Sequence, residues 1–266
     1  MTHHAAVIVD SHCHLDFPDF DGKLTETLAF AEENGVRYMQ TICTRVSQFD
    51  RIYAVADASP RIWCSVGQHP NNVEQDPFVT KEELLRRCAL PKTIGIGETG
   101  LDYYYEKASR DLQRASFRTH IAASRETGLP LIVHTRDAEE DTLRLLREEM
   151  DKGAFPFLIH CFSAGENFAS ACLELGGYIS LSGVVTFKNA EELRRVAAGV
   201  PISRLLAETD SPYLAPVPHR GKTNAPAYAS HVVAKIAEIK NLSFADAANA
   251  TTENFFRLFA KAAKKE

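Results

Sequence analysis

Eight short β-rich runs set the limits on what this chain can become. They occupy residues 7–9, 38–43, 62–66, 93–96, 131–133, 157–159, 178–181 and 205–207, with successive starts about 20 to 40 residues apart. That interval holds one helix and two turns, the repeat of a βα unit. The segments between carry helix signals. Thr80 and Glu83 form a capping box, Leu143, Leu146 and Met150 share one helical face, and Gly35, Gly128, Gly153 and Gly176 stand where left-handed caps end helices. Eight such units in 266 residues match a (β/α)8 TIM barrel, although a doubly wound open sheet would alternate in the same way.

The residues that follow the runs decide between the two. After most of them the chain turns abruptly polar: Asp10-Ser11-His12-Cys13-His14, Gln68-His69, Glu98-Thr99, His134-Thr135-Arg136-Asp137, His160-Cys161 and Glu208-Thr209-Asp210. Five of the ten histidines stand at these ends. In a barrel all strand C-termini converge on one mouth, where active sites are built, whereas an open sheet would spread them along an edge. The expectation is one barrel domain over residues 1–266 with its chemistry at the mouth.

Composition narrows the function. Thirty Lys and Arg against 35 Asp and Glu leave a net charge of −5, so no global basic field holds a long polyanion. Six cysteines form no CxxC pair and read as buried reduced thiols, Cys43, Cys64, Cys88 and Cys172 on strand or helix faces. The apolar patch in residues 1–9 is too short and lacks the basic flank of an export signal. Residues 175–187 are interrupted by glycines and serines, short of a membrane span. The expected location is the cytoplasm, with no membrane and no obligate protein partner.

His12 and His14, two apart on an extended segment, project to the same side and can bind one ion. His134, His160, Glu98 and Asp210 end four other strands, and six N/O donors suit one or two divalent ions of the Zn, Mn or Mg kind. Asp10, deeper in the first strand, fits a carboxylate orienting one of the histidines. Gly95, Gly97 and Gly100 spell the GxGxxG dinucleotide fingerprint, but Glu98 inside that turn repels phosphate and residues 101–105 do not start a helix.

With these residues in place the chain resembles the TatD family of metal-dependent deoxyribonucleases and hydrolases. The matching stretches are VDSHCHLD (9–16), VGQHP (66–70), GIGETGLDYYY (95–105), PLIVHTRDA (130–138), IHCFSA (159–164), LLAETDSPYLAP (205–216), RGKTNAP (220–226) and TTENFFRLF (251–259), nearly the whole chain. Two departures are Ala164, where the family often has glycine, and Thr223 and Ala225, where it commonly carries acidic or amide side chains. The resemblance implies metal ligands at His12, His14, Glu98, His134, His160 and Asp210. Two divalent ions are expected, His12, His14 and Asp210 holding one, His134 and His160 the other, and Glu98 standing between.

Glu98 and Asp210 are the catalytic candidates, Asp210 as acceptor of the proton of the attacking water. Arg136, two residues beyond His134, and Arg220 and Lys222, in a proline-bounded loop, are candidates for phosphate contact. His69 is expected at the mouth touching substrate, and Tyr103, Tyr104 and Tyr105 offer a stacking face, Tyr103 first among them. The basic C-terminus, from Lys261 to Lys265, reads as a solvated helix end favoured by the dipole. The implied substrate is DNA, taken as short or single-stranded ends. Two alternatives remain at this point: an amidohydrolase or lactonase acting on a small molecule at the same centre, and a non-catalytic scaffold.

Overall fold

The computed structural model describes residues 6–76, 78–105 and 107–262. Its strands are β1 (Ile8–Cys13), β2 (Val36–Thr41), β3 (Ile62–Val66), β4 (Thr93–Asp102), β5 (Leu131–Arg136), β6 (Phe157–Ile159), β7 (Tyr178–Leu181) and β8 (Leu205–Ala207). All seven sequential pairings are parallel. The helices are α1 (Leu24–Glu33), α2 (Phe49–Asp57), α3 (Lys81–Cys88), α4 (Arg110–Thr127), α5 (Glu139–Met150), α6 (Glu166–Glu174), α7 (Glu191–Gly199), α8 (Ala229–Lys240) and α9 (Phe244–Leu258). This is the (β/α)8 barrel, nearly closed. The seam between β8 and β1 is bridged beyond Ala207, where Cys13 pairs with Ser211 and the Asp210 N–H donates to the His12 carbonyl at 2.9 Å.

Asp10 belongs to that seam. Its carboxylate accepts from the Thr209 backbone N–H at 2.9 Å, from the Thr209 hydroxyl at 2.5 Å and from the His12 backbone N–H at 3.3 Å. It therefore ties β1 to the end of β8 and orients no imidazole, a correction to the role expected of it. Burial without a cationic partner pushes its carboxyl up to about 8.

β4 runs on through Asp102, six residues past the predicted run, and the GxGxxG spacing is the reason. A Cβ at Gly97 would stand 2.5 Å from the Ile132 carbonyl oxygen, and one at Gly100 would stand 2.0 Å from that of His134; both residues have positive φ. These glycines let β4 press against β5. No helix opens there.

The helix signals hold in most places. Thr80 accepts from the Glu83 N–H at 3.2 Å, but the Glu83 carboxylate pairs with Arg87, so the reciprocal half of the capping box is not made. Leu146 is buried on α5 with Leu143 and Met150 packed at the edge of the same core. Gly128 caps α4 in the left-handed conformation. All six cysteines are free, and Cys43, Cys64, Cys88 and Cys172 are buried.

Two apolar layers result. Strand residues such as Met39, Cys64, Val133, Ile159 and Leu181 pack outward against the helices. The alternate set, Val9, Tyr38, Trp63, Ile94, Ile132, Leu158, Tyr178 and Leu206, contributes one side chain from each strand and packs with Phe255, Leu258 and Phe259 of α9. α9 thus lies across the N-terminal end of the barrel as its floor. Thr252 donates to the Val7 carbonyl, and Asn254 donates to those of Ile202 and Leu205. Lys261 is not a solvated helix end: its ammonium donates to the carbonyls of Cys88 and Leu90 at the C-terminus of α3, where the dipole favours a cation. Residues 1–5, part of the segment read as lacking an export signal, and Lys264 and Lys265 lie outside the described residues.

Candidate metal centre

At the opposite end the strand termini bring together the side chains that the sequence singled out. β1 supplies His12 and His14. An irregularity in its pairing with β2 between Asp10 and Cys13 accompanies the turn of both imidazoles into the mouth. Their rings lie 5.1 Å apart, and His12 stacks on His160 at 4.0 Å. Glu98, mid-way along β4, sits at the centre: its Oε1 is 2.7 Å from His160 Nε2, 3.0 Å from His134 Nδ1 and 3.4 Å from His69 Nε2, and its Oε2 is 3.5 Å from His12 Nε2. Asp210 Oδ1 is 3.2 Å from His14 Nε2 and 3.6 Å from His12 Nε2.

The second nitrogen of each ring tells what the first is free to do. His14 Nδ1 donates to the Ile42 carbonyl, His160 Nδ1 faces Glu208 Oε1 at 3.3 Å, and His134 Nε2 faces Asp102 Oδ2 at 3.2 Å. Each partner holds a proton on that side, so that the other nitrogen, beside Glu98 or Asp210, is the one able to turn a lone pair to a cation bound there. His12 is the extreme case. It is fully buried, neither ring nitrogen has a hydrogen-bond partner, and two carboxylates approach its Nε2. A buried imidazole left in that state is costly unless a cation completes its surroundings. The donors fit a divalent ion, and three overlapping groups gather them: His12–Glu98–His160, His12–His14–Asp210 and His69–Glu98–His134.

Electrostatics agree with an ionised pair of carboxylates among neutral and charged imidazoles. Burial pushes Glu98 up, but the charge of His160, the imidazoles of His69 and His12 beside it and the hydrogen bond with His134 together hold it well below the usual carboxylate range. Asp210 is likewise held low against burial by its bond with His14 and the field of His12. Burial keeps His12 low, whereas at His160 it is overcome by Glu98 and Glu208.

His69 lies 4.5 Å from the His134 ring but is held differently. Its Nδ1 accepts from the Asn71 N–H at 3.1 Å and so caps the turn at Pro70–Asn72. Burial pushes its pKa down to about 3, so the ring is neutral and its proton is on Nε2, facing Glu98. It is a hydrogen-bond donor at the mouth.

The rim residues are rearranged relative to expectation. Tyr103 does not present a stacking face: its hydroxyl donates to Asp141 at 2.6 Å, it accepts from Arg114, and Arg110 covers its ring at 4.1 Å. Tyr104 and Tyr105 are the exposed rings, 56% and 51% accessible. Arg136 lies over them at 3.8 and 4.8 Å. Arg220 lies 3.8 Å over Phe187, and Lys222 is exposed on the same loop. Neither Arg136 nor Arg220 has an ion-pair partner among the described residues. Of the motif RGKTNAP, Asn224 is structural, its buried amide donating to the Thr209 and Tyr213 carbonyls.

Four residues here went unassigned in the sequence reading. Glu208 and Asp102 set the tautomers of His160 and His134; each lies two or four residues from a predicted ligand, the one signal that pointed to them. His120 on α4 accepts from the Gln68 N–H and fixes the loop bearing His69. Phe17 stacks on His14 at 4.6 Å.

A parallel barrel with buried histidines and carboxylates converging at its C-terminal mouth defines a metal-dependent hydrolase. Residues 9–260 match the sequence model of the family described as TatD related DNase, and the chain belongs to that family. It is 44% identical over 257 residues to the "Uncharacterized metal-dependent hydrolase YcfH" of Escherichia coli K12, covering 95% of each chain. The solved structure of YJJV, a TatD homologue from Escherichia coli K12, superposes with a TM-score of 0.89 at 28% identity, over 96% of this chain and 99% of that one. An organophosphorus hydrolase from Deinococcus radiodurans shares the fold alone, with a TM-score of 0.66 at 17% identity over 96% and 93%. No helix among the described residues is long and apolar enough to cross a membrane.

Proposed function

We propose that this chain is a deoxyribonuclease that hydrolyses phosphodiester bonds at the ends of DNA strands, acting as one domain in the cytoplasm. One observation carries the reading. The rim beside the metal centre presents arginines held by aromatic rings and, among the described residues, by no carboxylate: Arg136 on Tyr104 and Tyr105, and Arg220 on Phe187. Unpaired guanidinium groups and exposed rings are what phosphates and bases require.

In this reading His12, His14 and Asp210 would hold one divalent ion and His134 and His160 a second, and Glu98 would serve as a further ligand. Such ions supply Lewis acidity to a phosphoryl oxygen and acidify water near neutral pH. The chain's own groups do the rest. Asp210, ionised at neutral pH, accepts the proton of the attacking water. Glu208 and Asp102 fix the histidine tautomers. His69 directs an N–H across the mouth, and Arg136, Arg220 and Lys222 take the flanking phosphates.

Purified metal-loaded protein offered single- and double-stranded oligonucleotides with free and blocked ends, beside lactones and amides, tests this. Release of nucleotides from free ends supports it. Ready cleavage of a lactone with DNA left intact overturns it in favour of the amidohydrolase-type activity.

A further inference from the structure

Between the loops that follow β6, β7 and β8, on the His160 and Asp210 side of the mouth, lies a cavity of about 530 Å³. Its apolar walls are Phe187, Val184 and Leu193, and its polar edge is Ser163, Lys188 and Arg220. Residues 183–190 figure in no part of the metal chemistry, yet they are firmly built. Arg194 donates to the carbonyls of Val185 at 3.1 Å and Phe187 at 2.7 Å, and the Val217 N–H donates to Thr186 Oγ1 at 2.9 Å. The wall is thus tied both to α7 and to the loop after β8.

The charge at this cavity is positive. Arg220 and Lys188 have no carboxylate partner among the described residues, while the one acid in the lining, Glu192, is paired with Arg195. Stacking at 3.8 Å on Phe187 positions the Arg220 guanidinium while leaving its N–H donors unspent. An apolar aromatic wall with unspent cations along one edge is complementary to a flat ring that carries an anion.

The geometry points to a nucleotide subsite: the cavity takes the base next to the scissile bond against Phe187, with that nucleotide's phosphate on Arg220 and Lys188. This rests on the nuclease reading for its place in the reaction, but the binding itself can be measured alone. The wall is preorganised, so little ordering opposes binding.

The probe is 2′-deoxyadenosine 5′-monophosphate, titrated calorimetrically into the metal-loaded protein and into Phe187→Ala, Arg220→Met and Lys188→Ala. Lys188 and Arg220 are exposed, so their substitutions leave the fold intact. Phe187→Ala and Arg220→Met are each expected to weaken binding about tenfold, and Lys188→Ala less. The KM for a single-stranded oligonucleotide rises in step, and the Phe187→Ala penalty vanishes when the terminal base is replaced by an abasic sugar. Unchanged affinity in both Phe187→Ala and Arg220→Met overturns the subsite, whatever the chain cleaves. Weakened binding in a protein that cleaves no DNA sustains the subsite and overturns the nuclease reading instead.

Discussion

The two ends of this barrel solve burial in opposite ways. At the floor, Trp63 and Tyr38 meet Phe255 and Phe256 with ring centroids 5.4 to 6.2 Å apart, Phe259 packs on Phe255 at 4.8 Å, and the polar anchors Thr252, Asn254 and Lys261 all find carbonyl acceptors. At the mouth, His12 is buried with both nitrogens orphaned, and Glu98 and Asp210 are buried or nearly so among imidazoles. Apolar burial stabilises the floor outright, whereas the mouth concentrates desolvated charge that a cation must resolve. One end of the barrel is packed with apolar rings and the other gathers the ionisable groups, so substitutions at the two ends should separate cleanly.

The largest effect on stability belongs to the floor. Phe259→Ala removes a fully buried ring from the barrel axis and is expected to cost about 3–5 kcal/mol in urea unfolding, with kcat per folded molecule unchanged. A loss of metal affinity in that variant would break the separation. At the mouth, Glu208→Gln takes the carboxylate from behind His160 and should weaken divalent-ion affinity about 10–100-fold, read by competition with a chromophoric chelator. Lys261→Met, which strips a cation from two carbonyls beneath the floor, should lower stability by about 1 kcal/mol and leave turnover alone. The smallest effect is on salt. With a single strand touching about three of the rim cations Arg136, Lys188, Arg220 and Lys222, which have no carboxylate partner among the described residues, and a net charge of −5, log KM against log salt should have a slope of about 2. A slope several times steeper would mean a broad polyanion track rather than contact with a few nucleotides.

The mouth was more legible in the sequence than the floor, and the reason is chemical. Ionisable residues straight after β-rich runs stand out, because little except chemistry tolerates them there; His12, His14, Glu98, His134, His160 and Asp210 all reach one cluster. The runs at 62–66, 157–159, 178–181 and 205–207 coincide with β3, β6, β7 and β8. What a single sequence cannot display is which partner a side chain chooses. Asp10 turns to Thr209, Tyr103 to Asp141 and Lys261 to α3, each through a contact between residues distant in the chain. TTENFFRLF gave no sign of its role because aromatic residues at helical spacing pack equally well against any apolar surface; only the topology aims Phe255 and Phe259 into the barrel axis.

The most direct test of the account joins ion content to turnover in one variant. Glu98→Ala and the wild-type protein are purified in parallel, assayed for bound divalent metal, and given a single-stranded oligonucleotide with free ends. The wild-type protein is expected to carry divalent ions and release nucleotides, whereas Glu98→Ala loses both while its thermal unfolding, set by the floor, persists as a cooperative transition. Turnover that survives in Glu98→Ala would remove the metal centre from the mechanism and contradict the assignment of function to this end of the barrel.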